Sequence, residues 1–264
     1  MVELSLRPAY FDLLRHFGNP HEHLPPVYHV AGTNGKGSTC AFLRAMLEAA
    51  GKRVHVYTSP HLVHFHERIR LAGKLIDEPL LVELLHEVER VIAPGTISQF
   101  EATTAAAFAA FARTPADYLI LETGLGGRFD ATNVVTKPLG SLISRISFDH
   151  REFLGDTLVK IAGEKAGIIK PGVPCFIGQQ FDEAVDAVFR KEAEKLQAKL
   201  RHYGQDWQAM PNAGGFTYSD AQGALPLPQP ALLGAHQIGN AALAIVALRH
   251  TAQGPSPEQL AQGL

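Results

Sequence analysis

Val27-Tyr28-His29-Val30-Ala31-Gly32-Thr33-Asn34-Gly35-Lys36-Gly37-Ser38-Thr39 is the stretch whose reading decides the fold. Its first five residues are short, apolar and β-rich, as in a buried strand. From Thr39 to Ala50, apolar Phe42, Leu43, Met46, Leu47 and Ala50 recur at helical spacing, and Gly51 stops the run. Glycines between strand and helix let successive backbone N–H groups converge on phosphate oxygens. The helix start adds its partial positive charge. Lys36 can reach terminal phosphates, and a following hydroxyl can hold Mg²⁺. The spacing departs from the common G-x-x-x-x-G-K-[ST]. Val30 stands where its first glycine would be, and Gly37 separates Lys36 from Ser38. A glycine-rich turn with an incidental lysine is the bland alternative, and the strand–loop–helix context weighs against it.

Outward from this segment, strand-like and helix-like runs alternate. Val54–Thr58, Tyr118–Glu122, Leu139–Ser144 and Pro174–Ile177 read as strands. Leu80–Ile92, Glu101–Ala112, Thr157–Ile168, Phe181–Leu200 and Ile238–His250 read as helices. Such alternation predicts an α/β fold: a mainly parallel sheet with helices on both faces. Between about residues 201 and 232, glycines, prolines and short mixed segments suggest a small β excursion. Gln253-Gly254-Pro255-Ser256-Pro257 reads as a linker.

With 46% apolar and 19% charged residues, the chain has the composition of a globular protein with a substantial core. A formal charge of −2 gives no footing for bulk nucleic-acid or anionic-membrane binding. Cys40 and Cys175 do not make a disulfide framework, and Met1–Arg15 has no signal-peptide core. No run reaches the roughly 20 apolar residues of a membrane span. Together these predict a cytoplasmic protein with reduced thiols.

Candidate site residues follow from strand ends and loops. Glu122 closes an apolar strand and precedes Gly124, Gly126 and Gly127. A carboxylate there is placed for Mg²⁺ or substrate, or is simply a surface-facing glutamate. His150 follows Asp149 after another apolar strand. A loop histidine is the plainer reading, because magnesium prefers oxygen. Lys165 reads first as an ordinary helix lysine. Arg128, Asp130, Thr132 and Asn133 suit both turn chemistry and binding. His61, His64 and His66 lack standard zinc spacing. Gln237 and Asn240, one helical turn apart, can share a face or cap the helix.

The phosphate loop resembles that of the Mur-ligase superfamily, most closely its dihydrofolate synthase/folylpolyglutamate synthase family. Colinear blocks extend the likeness over nearly the whole chain. They include Thr58-Ser59-Pro60-His61-Leu62, Phe100-Glu101-Ala102-Thr103-Thr104, Glu122 to Asn133, Asp149-His150, Glu164 to Gly172 and Gly234 to Ala241. The resemblance implies the fold of a Mur-ligase central domain, P-loop NTPase-like, over residues 1–252. Residues 253–264 would start a linker to a C-terminal glutamate-ligase domain that this chain lacks.

The resemblance also implies an ATP-dependent amide ligase. It would join L-glutamate to dihydropteroate or a folate through an acyl phosphate, as a monomer. Gly32, Thr33, Asn34, Gly35, Lys36, Gly37, Ser38, Thr39, Gln237 and Asn240 would bind ATP. Ser38, Glu122 and His150 would hold Mg²⁺. Lys36 and a CO₂-carbamylated Lys165 would serve catalysis. Ser59, Pro60, His61, Phe100 and Thr104 would form the folate pocket, with the pterin ring stacked on Phe100. Two alternatives stay open: another Mur-type ligase, against which the Ser59-Pro60-His61 block counts, and a nucleotide-binding module without full ligase activity.

Overall fold

The computed structural model describes residues 5–251 and 254–264. The expected boundary at 252/253 falls outside the described residues. In chain order the elements are α1 (Pro8–His16), β1 (Val27–Ala31), α2 (Lys36–Ala49), β2 (Val54–Tyr57), β3 (Ile69–Leu71), β4 (Lys74–Leu75), α3 (Glu78–Val91), α4 (Gln99–Arg113), β5 (Tyr118–Glu122) and β6 (Gly140–Ile143). They continue with α5 (Arg151–Leu154), α6 (Leu158–Lys165), β7 (Cys175–Ile177), α7 (Glu183–Lys195), β8 (Leu200–His202), β9 (Trp207–Asn212), β10 (Gly215–Asp220), β11 (Gly223–Pro228), α8 (His236–His250) and α9 (Pro257–Gln262).

Eight strands form one sheet in the order β4-β3-β2-β5-β1-β6-β7-β8. β2, β5, β1, β6, β7 and β8 are parallel; β3 and β4 add an antiparallel edge. Strand residues alternate between faces, as a pleat with both sides covered requires. Tyr28, Val30, Ile120, Leu142 and Phe176 join a core with α2 and α8. On the opposite face, Leu119 and Leu121 pack with α1, α3 and α4, while Ile143, Cys175 and Ile177 pack with α6 and α7. The expected α/β sheet covered on both sides is therefore present. So is the β excursion, an antiparallel sheet of β9, β10 and β11 whose Trp207, Phe216 and Tyr218 join the α8 core.

Two expectations are corrected. The helix expected over Phe181–Leu200 ends at Lys195, and Leu200–His202 pair in parallel with β7. Residues 257–262, expected as linker, form α9, capped by Ser256 and packed on α2 through buried Leu260. Ile238–His250 is thus followed by a further helix. No helix among the described residues is long and apolar enough to cross a membrane.

The chain leaves β1 for α2 at the sheet centre, and β5 and β6 flank β1 on opposite sides. This reversal of winding direction puts a crevice outside the carboxyl ends of β1, β5, β6 and β7, where α/β sheets bind ligands.

Candidate nucleotide and metal site

The phosphate loop occupies that crevice. Gly35 caps α2 with φ of 89°, a left-handed conformation, and a side chain there would run into the Asn240 amide. Gly32, at φ of 144°, lies so close to Ser144 that an added Cβ would overlap its hydroxyl. The loop is anchored to the neighbouring strand end. The N–H groups of Thr33 and Asn34 both donate to the Arg145 carbonyl, at 3.0 and 3.1 Å. Thr33 Oγ1 donates to the Ser147 carbonyl at 3.1 Å, and Asn34 Nδ2 to Ser147 Oγ at 3.0 Å. These two residues, expected to meet phosphate through their backbone, therefore hold the loop in place. Lys36, Gly37 and Ser38 form the first helical turn, the end at which an α-helix carries its positive partial charge.

Glu122, the last residue of β5, sits beside this turn. It is 4% exposed, and a Cβ on Gly37 would lie 3.9 Å from its Oε2. The Ser59 N–H donates to Glu122 Oε2 at 3.4 Å, across the cis Ser59–Pro60 segment. Burial pushes the carboxyl up to about 7, and the nearby Lys36 charge opposes that rise. The reading of Glu122 as a surface-facing strand end is thereby excluded.

Lys165 reaches the same place from the C-terminal end of α6. Its Nζ donates to the Gly32 carbonyl at 2.7 Å. Burial brings its ammonium down to about 8, and the like charge of Lys36 adds to that fall. Two lysines and one carboxylate thus surround the loop in a low-dielectric setting. An excess of positive charge there suits a phosphate chain.

Asp130 holds the glycine turn that follows Glu122. It accepts from the N–H groups of Gly124 and Leu125 at 2.8 and 2.9 Å, and from the Thr132 N–H at 3.0 Å. Thr132 Oγ1 also meets the buried His29 Nε2 at 2.8 Å, tying the turn to β1.

The donor chemistry fits Mg²⁺. Glu122 and Ser38 offer hard oxygens, the ligands this ion prefers. Three buried hydroxyl oxygens on the segments that meet there, Thr39 Oγ1, Ser59 Oγ and Thr123 Oγ1, have no hydrogen-bond partner among the described residues. Buried polar atoms are seldom left so, and a hydrated cation supplies partners. His150, the third expected ligand, lies in the loop that follows β6. It caps α5, is half exposed, and faces its neighbour Asp149 at 3.6 Å. Among the described residues no three of His, Cys, Asp and Glu converge on one point.

Beside the loop opens a cavity of about 710 Å³ between Asn34, Gly35 and Ser38 on one side and Ile238 and Asn240 of α8 on the other. Gln237 and Asn240 share a face, as expected: Asn240 Nδ2 donates to Gln237 Oε1 at 2.9 Å. Sequence reasoning missed the remaining walls, which include Arg145, Phe181, Tyr203 and Met210. Arg145 follows β6, so the strand-end rule that singled out Glu122 would have found it. Tyr203 and Met210 are there because the β excursion folds back, for which no motif exists. A depression of similar volume along the outer face of α3, lined by Val82, His86 and Arg90, meets none of these residues.

The expected folate residues divide. Ser59 abuts Glu122, and Pro60 is exposed beside it. His61 accepts from Arg68 Nε at 3.0 Å and lies edge-on to Phe65. Phe100 is half-buried, 5.9 Å from the Tyr57 ring, and packs over Gly124. Thr104 is fully buried. Its hydroxyl donates to the Phe100 carbonyl at 2.7 Å and meets Tyr57 Oη at 3.0 Å, so it is a strut behind Phe100 and not a pocket wall.

Residues 30–248 match the Mur ligase middle domain. The chain is 40% identical over 248 residues to the dihydrofolate synthase/folylpolyglutamate synthase of Bacillus subtilis, covering 89% of this chain and 57% of that protein. The apo form of L. casei FPGS superimposes with a TM-score of 0.89 at 31% identity, covering 100% of this chain and 68% of that one. The chain belongs to the dihydrofolate synthase/folylpolyglutamate synthase branch of the Mur ligases. A further structure of this branch, a bifunctional folylpolyglutamate synthase/dihydrofolate synthase with Mn, AMPPNP and L-glutamate bound, matches with a TM-score of 0.86 and 34% identity, covering 100% of this chain and 62% of that one. This Mur-ligase chain spans 57% of the length of that Bacillus subtilis relative and 55% of the Escherichia coli one.

Proposed function

We propose that the chain binds ATP and activates a substrate carboxylate for an amide ligase that adds L-glutamate to dihydropteroate or a folate. The supporting observation is the meeting of Lys36, Glu122 and Lys165 at one phosphate loop, from three elements distant in sequence. A substrate carboxylate oxygen attacks the γ-phosphorus, ADP leaves, and an acyl phosphate forms. The glutamate amine then attacks the acyl carbon and expels phosphate. Lys36 and the start of α2 are aimed at the charge that builds on the transferring phosphoryl group. Ser38 and Glu122 would hold Mg²⁺, with nucleotide phosphates completing its shell, and His150 would join only by turning from Asp149. When bound, the ion neutralises phosphate charge.

Lys165 keeps the loop's Gly32 carbonyl in place. As a carbamate, which the resemblance implies, it would become an anion. Burial that lowers its pKa supplies the neutral amine that reacts with CO₂. Ser59, Pro60, His61 and Phe100 would face the folate. A monomer in the cytoplasm, with Cys40 and Cys175 free and buried, accords with this reading.

The test is carboxylate-dependent ADP release from ATP and Mg²⁺, with dihydropteroate or tetrahydrofolate and L-glutamate present, and mass spectrometry of the products. ADP release that rises with the carboxylate supports the proposal. A folded chain that neither binds nucleotide in calorimetry nor releases ADP overturns it.

A further inference from the structure

The guanidinium of Arg145 lies over the Phe181 ring, 4.4 Å from its centroid, at the wall of the nucleotide cavity. Among the described residues, Arg145 and His236 are the only ionisable side chains besides Tyr203 that line this cavity, and no carboxylate does. Among the described residues the guanidinium has no hydrogen-bond acceptor and no carboxylate within ion-pair distance. Arginine side chains at protein surfaces usually find one or the other, or move freely in water. This one is unpaired and lies over an aromatic ring, with both side chains open to solvent. Its backbone position is fixed as well, because its carbonyl accepts from Thr33 and Asn34 of the phosphate loop. Gln180 tightens the same corner: its Oε1 accepts from the Ile146 N–H at 2.9 Å, and its Nε2 donates to the Gly178 carbonyl at 3.0 Å.

We propose that Arg145, pre-positioned on Phe181, is a specificity residue that pairs with the phosphate groups of the bound nucleotide, so that this cavity selects nucleoside di- and triphosphates over uncharged nucleosides. Lys36 and the start of α2 approach the phosphates from the loop, and Arg145 adds a charge from the β6 side. The contact with Phe181 removes part of the conformational freedom that an exposed arginine loses on binding. The inference rests on the proposal that this cavity takes ATP.

Calorimetry on the full chain with Mg²⁺ compares ADP with adenosine for the parent and for Arg145→Ala, Arg145→Lys and Phe181→Leu. Arg145→Ala is expected to weaken ADP by about tenfold, the scale of one charge-assisted contact, and to leave adenosine within twofold. Arg145→Lys recovers part of the loss, and Phe181→Leu shows a smaller loss of the same kind. The backbone anchor for Thr33 and Asn34 survives in every variant, so a purely structural role would weaken both ligands alike. Equal weakening, or unchanged ADP affinity, overturns the inference and leaves the proposed function standing. A parent chain that binds neither ligand overturns both.

Discussion

Lys165 Nζ donates a 2.7 Å hydrogen bond to the carbonyl of Gly32, 133 residues earlier in the chain. The contact joins the C-terminal end of α6 to the first residue of the phosphate loop. It makes a lysine that reads as an ordinary helix residue part of the nucleotide site.

Replacing Lys165 with Met keeps most of the buried aliphatic stem and removes the charge. We expect the fold to persist and carboxylate-dependent ADP release to fall by at least about 100-fold, as when an electrostatic contact at a reacting centre is lost. Circular dichroism and steady-state rates check this together. Near-normal turnover in the folded variant would assign Lys165 to packing alone.

Lys36→Ala is expected to abolish ATP turnover with little change in melting temperature. Lys36 is only partly buried, in the first turn of α2, and its charge is felt by both Glu122 and Lys165. Normal ADP release by a folded Lys36→Ala chain would remove the phosphate-loop assignment.

Glu122→Gln should weaken Mg²⁺-dependent activity far more than stability. The carboxyl is nearly buried, and burial already disfavours its charged form, so a neutral amide of the same shape relieves a desolvation cost. The expected result is an unchanged or higher melting temperature with a raised Mg²⁺ requirement. An unaltered Mg²⁺ titration would mean that Glu122 is no ligand.

The buried His29 predicts acid sensitivity. Burial brings its imidazole down to about 3, with the Lys170 charge adding to the fall. Between pH 6.5 and 3 the unfolded chain binds a proton at this residue that the folded chain does not. Its contribution is therefore intact above pH 6.5 and is lost progressively as pH falls towards 3. The slope is at most about 1.4 kcal/mol per pH unit. Denaturant titrations at pH 7 and pH 5 should show a smaller difference for His29→Gln than for the parent. Equal differences would show that His29 is protonated in the fold.

The loop from Gly32 to Thr39 and the strand-end position of Glu122 were legible because both follow local rules: glycines between a strand and a helix, and a carboxylate where an apolar run stops. Lys165 became significant only through the resemblance, since α6 gives it the pattern of a surface lysine. Thr104 too was expected at the folate pocket only through the resemblance. The structure closes its hydroxyl between Tyr57 and the Phe100 carbonyl.

By itself, the sequence determined the alternation of strands and helices, the two-faced burial of β1, β5 and β6, and the phosphate loop, because each depends on periodicity or turn chemistry within about fifteen residues. Tertiary structure alone decided the strand at Leu200–His202, the helix at Pro257–Gln262, and the placing of Arg145, Phe181 and Tyr203 around one cavity. Leu200–His202 is too short to carry a strand pattern of its own, and the open edge of β7 pairs with it. Arg145 and Phe181 are separated by α5, α6 and β7 and meet because β6 and β7 are adjacent parallel strands with loops at the same end, a neighbourhood set by the order of winding and not by any local run of residues.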